Sequence, residues 1–321
     1  MSSYRPPPWL RGGHAQTIYP LLIKPEAPAF RRERWDTPDG DFIDLDWRDP
    51  AADGTGARPL VVLFHGLEGS SDSHYARALM HAANERGWGG LVVHFRGCSG
   101  EANRMPRAYH SGDSAEINWI LRRIRQTHPA RALHAVGVSL GGNALLKWLG
   151  EQQESARAII ASAVAVSAPF DLTACGHNLA RGFNRIYTRH FLNTLKPTSA
   201  AKLERFPGIF CEGRLRKAST LYDFDDVVTA PLHGFASADD YWFRASSKPW
   251  LGAIRVPTLL LNARNDPFLP AHALPLADQV SGEVLLDFPD EGGHVGFVSG
   301  QFPGRLYWMP QRVLRFLSQG D

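Results

Sequence analysis

Six short apolar runs, at residues 60–64, 90–95, 132–138, 159–166, 258–262 and 283–288, are separated by longer amphipathic stretches, and this rhythm constrains the fold more than any other feature of the chain. Runs of that length read as strands buried on both faces. Between the second and third runs, Ile117, Ile120, Leu121 and Ile124 recur at i, i+3, i+4 and i+7 and so share one helical face. Residues 72–86 and 140–152 are further helix candidates, and Val313, Leu314 and Leu317 mark one near the end. Strands alternating with helices predict an α/β fold, with a mostly parallel central sheet flanked by helices.

The alternation fails in two places. Residues 1–40 hold Pro6, Pro7, Pro8, Pro20, Pro25, Pro28 and Pro38, too many for continuous helix or strand. Trp9, Leu10, Ile18, Tyr19, Leu21, Leu22 and Ile23 give this segment side chains to dock with, so it is expected to lie extended as an arm on the core. A strand pair is expected at 32–37 and 41–47, joined by the turn Pro38-Asp39-Gly40. In its second strand Phe42, Asp44 and Asp46 alternate with Ile43, Leu45 and Trp47, the pattern of a strand with one wet face.

The second interruption, residues 170–250, contains no strand runs. Residues 175–217 carry nine Lys or Arg and two Glu, whereas 221–240 carry five Asp and no Lys or Arg. Such an insertion is expected to be a helical cap over the C-terminal edge of the sheet, where open α/β sheets bind their ligands. Its cationic run is expected to be a solvated face. The core then comprises 41–169 and 251–321.

Composition excludes several classes. With 35 Lys and Arg against 32 Asp and Glu, the net charge of +3 lacks the concentrated cationic field of a nucleic-acid binder. Cys98, Cys175 and Cys211 are widely spaced, which disfavours a disulfide framework or a cysteine zinc site. No stretch approaches the ~18 apolar residues of a membrane span, and a cytoplasmic location is expected. No metal-binding His pair is evident, so neither metal nor cofactor is expected.

The strongest local pattern is Gly137-Val138-Ser139-Leu140-Gly141. A strand ends at Val138 and a helix starts at Leu140, so Ser139 occupies the strand-to-helix turn that a G-x-S-x-G nucleophile requires. Serine there takes a strained backbone that lifts its hydroxyl above the sheet, and side chains at 137 and 141 would collide with the neighbouring helix and strand. An alkyl hydroxyl is a poor nucleophile at neutral pH; it needs a base, and the base an orienting carboxylate. Asp266, in Asn262-Ala263-Arg264-Asn265-Asp266-Pro267-Phe268, and His294, in Glu291-Gly292-Gly293-His294-Val295-Gly296-Phe297, both follow strands. Gaps of 127 and 28 residues put Ser, Asp and His in the order found on this kind of sheet. Asn-Asp-Pro is also a turn signal, but Asp266 is preferred as the carboxylate over Asp287 and Asp290, and Asn265 carries no charge with which to replace it. Gly292, Gly293 and Gly296 imply a loop that approaches another backbone closely.

The loop Leu63-Phe64-His65-Gly66-Leu67-Glu68-Gly69 is expected to set the Leu67 N–H opposite the Leu140 N–H as donors to an oxyanion, with His65 bracing the turn. Cys98 lacks an assignable base and reads as a small residue packed in a tight loop. Ser111 and Asp113 precede a helix and read as capping residues.

The segments RGGHAQTIYP, LFHGLEGS, HFRGCSGEANR, YHSGDSAEI, GVSLGGNALLKWLG, GFASADDYW, NARNDPF and GGHVGF together resemble the YheT-like branch of α/β-hydrolases, and the resemblance runs from about Arg11 to Phe316. That branch groups bacterial proteins regarded as esterases with eukaryotic α/β-hydrolase-domain lipases. The resemblance implies an α/β-hydrolase fold, a triad on Ser139, Asp266 and His294, and hydrolysis of small carboxylic esters, short-chain acyl esters or monoacylglycerols. A thioesterase, amidase or acyltransferase on the same fold, or a non-catalytic binding protein, are the alternatives.

Overall fold

In the computed structural model, which describes residues 4–49 and 58–319, the sheet rhythm is realised as eight strands. They are β1 (Arg31–Asp36), β2 (Phe42–Arg48), β3 (Leu60–Phe64), β4 (Gly89–Val93), β5 (Leu133–Val138), β6 (Ser162–Val166), β7 (Thr258–Leu261) and β8 (Val284–Asp287). Their order across the sheet is β1-β2-β4-β3-β5-β6-β7-β8. The first hairpin and its junction with β4 are antiparallel, and all other pairs are parallel. Register aligns the strand ends: Phe64 pairs with Gly137, Val138 with Val166, and Leu261 with both Val166 and Asp287. The loops after β3, β5, β7 and β8 therefore emerge on one edge.

Short helices precede and separate the strands: α1 (Gly13–Ile18), α2 (His74–Glu85), α3 (Ser114–Thr127) and α4 (Leu140–Gln152). Between β6 and β7 come α5 (Leu172–Leu179), α6 (Arg185–Arg205), α7 (Glu212–Lys217), α8 (Leu221–Phe224), α9 (Ala230–His233) and α10 (Ala238–Ala245), and the chain closes with α11 (Trp308–Leu317). Alternate residues of each buried strand feed two cores. Leu60, Val62 and Phe64 pack with Ile117, Ile120, Ile124 and Leu145, while Val61 and Leu63 pack with Leu79, Met80, Val313 and Leu317 on the other face. Among the described residues no helix is long and apolar enough to cross a membrane.

Three expectations need correction. The polar positions of β2 are not wet. Asp44 and Asp46 are buried because Arg34 and Arg32, opposite them on β1, fold over as two-pronged donors at 2.8–2.9 Å, and His94 and Ser71 complete the shell of Asp46. At the other edge β8 has one open side, with Leu285 48% exposed, so it is not buried on both faces. Finally, the arm is not wholly extended. Between Pro8 and Pro20 the chain has room for α1, and Pro20 is the second residue of a further 3₁₀ turn, a position where a missing N–H costs no helical bond. The expected segments also include residues 1–3, 50–57 and 320–321, which lie outside the described residues.

Candidate active site

Ser139 sits between β5 and α4 with φ 52° and ψ −121°, a strained conformation for a residue with a Cβ. Glycine is required on both sides. A Cβ on Gly137 would lie 2.5 Å from the Gly141 carbonyl oxygen, and one on Gly141 would run into the Phe64 carbonyl. The Ser139 N–H is held by the Val166 carbonyl at 2.8 Å, which ties the turn to the neighbouring strand.

The Ser139 hydroxyl lies 3.0 Å from His294 Nε2, and His294 Nδ1 lies 2.9 Å from Asp266 Oδ2. A carboxylate only accepts, so Nδ1 carries the proton toward Asp266 and Nε2 is left to accept from Ser139. Asp266 is buried and its other oxygen accepts the Phe268 N–H at 2.8 Å, which fixes the carboxylate plane. The other carboxylates considered are elsewhere: Asp287 pairs with Arg312, and the Asp290 side chain is 94% exposed beside Arg264.

Residues not anticipated from the sequence hold the His294 loop. Phe268 stacks on the imidazole, with ring centres 3.8 Å apart and planes 14° from parallel. From α1, Gln16 Oε1 accepts the Gly292 N–H and the Asn265 side-chain amide, both at 2.9 Å, while Thr17 Oγ1 accepts the His294 N–H at 2.8 Å. Asn265 in turn accepts the Gly293 N–H at 3.0 Å. The close backbone implied by Gly293 and Gly296 is α1 itself, since a Cβ at either position would strike the main chain of residues 13–17. Next in sequence, Val295 has φ 58°, rare for a β-branched residue, and is held there from both sides. Its N–H donates to Ser167 Oγ at 3.0 Å, and its carbonyl accepts from His74 Nε2 at 3.2 Å. Burial, reinforced by the nearby His294, pushes the His74 pKa down to about 4 and keeps that ring neutral.

The loop after β3 lies against Ser139, with the Cα of Gly66 so near that a Cβ would be 3.1 Å from that of Ser139. The Tyr75 hydroxyl accepts the Gly66 N–H, and the Tyr109 hydroxyl accepts the Glu68 N–H while donating to the Glu68 carboxylate. His65 accepts the Phe95 N–H at Nε2 and donates from Nδ1 to the Gly66 carbonyl, while complete burial lowers its pKa to about 3. Among the described residues neither the Leu67 nor the Leu140 N–H donates to a protein acceptor, and both residues line the cavity that contains Ser139. Cys98 is partly buried, with its thiol pKa raised by desolvation, and Asp113 caps α3 by accepting the Glu116 N–H.

That cavity has a volume of about 440 Å³ and lies between the loops of the sheet edge and the insertion. Leu172, Leu179, Phe191, Leu195, Val228 and Trp242 of the insertion make its wall largely apolar. The cationic run of α6 is divided in its use rather than uniformly solvated. Lys202 donates to the Pro106 and Arg107 carbonyls at 2.8 and 3.0 Å, and Arg205 to the Asn103 carbonyl at 2.6 Å, so these two clasp the insertion to a core loop. Arg181, Arg185 and Arg189 stay exposed.

An apolar cavity above a serine hydroxyl, on the C-terminal edge of a mostly parallel sheet, defines the class of hydrolases built on the α/β-hydrolase fold. The α/β-hydrolase fold family matches residues 59–301. An Escherichia coli (strain K12) protein named "Putative esterase YheT" is 40% identical over 310 residues, covering 95% of this chain and 90% of its own. Human "Phospholipase ABHD3" is 29% identical over 98% of this chain and 78% of its own, and the "Monoacylglycerol lipase" of Saccharomyces cerevisiae is 31% identical over 84% and 61%. The fold is shared with an esterase of Pyrococcus furiosus, at 17% identity and a TM-score of 0.57 over 91% of each chain. The chain belongs to the α/β-hydrolase family, in its YheT-like branch, and is an enzyme of the esterase and lipase type.

Proposed function

We propose that Ser139, His294 and Asp266 form a catalytic triad that hydrolyses carboxylic esters, short-chain acyl esters or monoacylglycerol-like lipids, through an acyl-enzyme. The observation that carries this reading is the unbroken chain of hydrogen bonds from Asp266 through His294 to Ser139. Ser139 Oγ attacks the ester carbonyl carbon while His294 Nε2 takes the hydroxyl proton, and Asp266 stabilises the imidazolium that forms. The carbonyl oxygen becomes an oxyanion, received by the free N–H groups of Leu67 and Leu140. Collapse of this intermediate breaks the ester C–O bond, and His294 returns the proton to the departing alcohol. Water then attacks the acyl-serine by the same route and releases the acid.

In this reading residues 170–250 cap the catalytic core of 41–169 and 251–321, and residues 1–40 form an arm that steadies the His294 loop. The apolar wall of the cavity suits an acyl chain better than a charged group. Purified protein assayed with p-nitrophenyl esters of increasing chain length tests the proposal. The wild type should favour acyl chains that fit the cavity, and Ser139→Ala should lose both hydrolysis and labelling by a fluorophosphonate probe. Retention of most of the activity by Ser139→Ala would sink the nucleophile assignment.

A further inference from the structure

The first helix and the 3₁₀ turn that follows it are amphipathic in the reverse sense. Gln16, Thr17 and Pro20 point inward and are buried, whereas Ile18, Leu21 and Leu22 form an outward stripe, with Leu22 77% exposed. Exposed apolar side chains scattered singly need no account, but contiguous ones do. At one end of this stripe the His14 ring packs on Phe183, with centres 4.5 Å apart, and exposed Ile186 follows three residues on, in the first turn of α6. At the other, Trp9 bridges Tyr19 and Phe302 with ring centres 5.2 and 5.5 Å away, and Phe302 is 74% exposed.

Within the segments that carry these side chains the charge has one sign. No Asp or Glu occurs in residues 4–23, 172–203 or 298–307. These segments supply Arg5, Arg11, Arg181, Arg185, Arg189 and Arg305, all exposed and, among the described residues, in no ion pair. The nearby acid Glu291 accepts from Gln16 instead.

We propose that this face docks the protein on the surface of an anionic lipid bilayer, the apolar side chains entering the headgroup region and the arginines meeting lipid phosphates. Apolar side chains interleaved with cations, at a length far short of a span, fit an interfacial site. A second copy of the chain fits poorly, since a two-fold interface would press arginine against arginine. Docking also brings the reaction centre to the lipid. From Phe183 the contacts run through His14 to the Tyr187 hydroxyl at 3.0 Å, then to Phe268 and the His294 ring. Only this last point rests on the proposed chemistry; docking itself does not.

Co-sedimentation of the full chain with vesicles of phosphatidylcholine containing phosphatidylglycerol, against phosphatidylcholine alone, tests it without any turnover. Binding to the anionic vesicles is expected, weakened about tenfold or more in the double variant L21E/L22E and in high salt. The same variant should hydrolyse a dissolved short-chain ester at the wild-type rate, which reports an intact fold. Absence of binding to anionic vesicles, or binding indifferent to L21E/L22E, overturns the proposal. So does sedimentation velocity showing a wild-type dimer that the variant abolishes, because the face then serves self-association. Failure of the ester assay with binding intact would instead count against the chemistry.

Discussion

The Thr17 hydroxyl accepts the backbone N–H of His294 at 2.8 Å, joining residues 277 apart in sequence. That hydrogen bond is partly buried, so removing its acceptor leaves a half-shielded polar group unsatisfied. Thr17→Val keeps the shape and should cost about 1–3 kcal/mol of stability, with a drop in kcat larger than any change in KM. Thr17→Ser should restore both. Thermal melts and ester kinetics on the two variants check this, and equal behaviour of Val and Ser would remove Thr17 from the positioning role.

The Asp266 carboxylate has both oxygens engaged, one by His294 and one by the Phe268 N–H. Asp266→Asn keeps a carbonyl oxygen for one of them, but its NH₂ favours the wrong imidazole tautomer. A loss of about 10⁴ in kcat is expected with little loss of fold. A variant within tenfold of wild type would show that another carboxylate serves His294.

Phe268 stacks on the imidazole and is itself braced by Tyr187, at ring centres 3.8 and 4.9 Å. Phe268→Leu retains an apolar filler but no aromatic face, and should destabilise by about 1 kcal/mol. The kinetic loss should fall on kcat, since the ring orients the base as well as lining the cavity. Steady-state kinetics with one chain length separates the two contributions.

His65 is buried without a countercharge, and its pKa is lowered to about 3. Unfolding exposes a histidine that takes up a proton below its ordinary value near 6.5, which the folded ring resists. The unfolded state therefore binds more protons between pH 6.5 and 3, and the stabilising contribution of neutral His65 is lost as pH falls through that window. Each pH unit within it is worth about 1.4 kcal/mol. His65→Gln takes up no proton, so its melting temperature relative to wild type should rise steadily from pH 6.5 to 4.5. A difference that stays constant with pH would mean that His65 is not buried neutral.

Much of this architecture was legible locally. The centres of all six parallel-pattern runs lie in strands, because a short apolar stretch between turns can bury both faces only inside a sheet. The turn at Ser139 was legible because its glycines answer a steric need within five residues, and Asp266 and His294 because both follow strands whose ends share one edge. The positions of Asp44 and Asp46 misled, since alternation tells which side chains share a face but not what covers it. The helix within the arm was obscured by the prolines on either side of it.

The sequence by itself determined the class of fold, the strained serine turn and the order of the three residues that meet above it, all of which follow from spacing along the chain. Only the tertiary structure decided that Gln16 and Thr17 secure the His294 loop, that Phe268 faces the imidazole, and that Lys202 clasps the insertion to the core. Each of these depends on a partner at least 26 residues away, as the separation of Phe268 and His294 illustrates, and on which surface of an element its neighbours leave open. Local periodicity carries no information about either. Helix α1 and the turn after it show the consequence: Gln16 and Thr17 are inside because the loops they bind are there, and Ile18, Leu21 and Leu22 are left facing out.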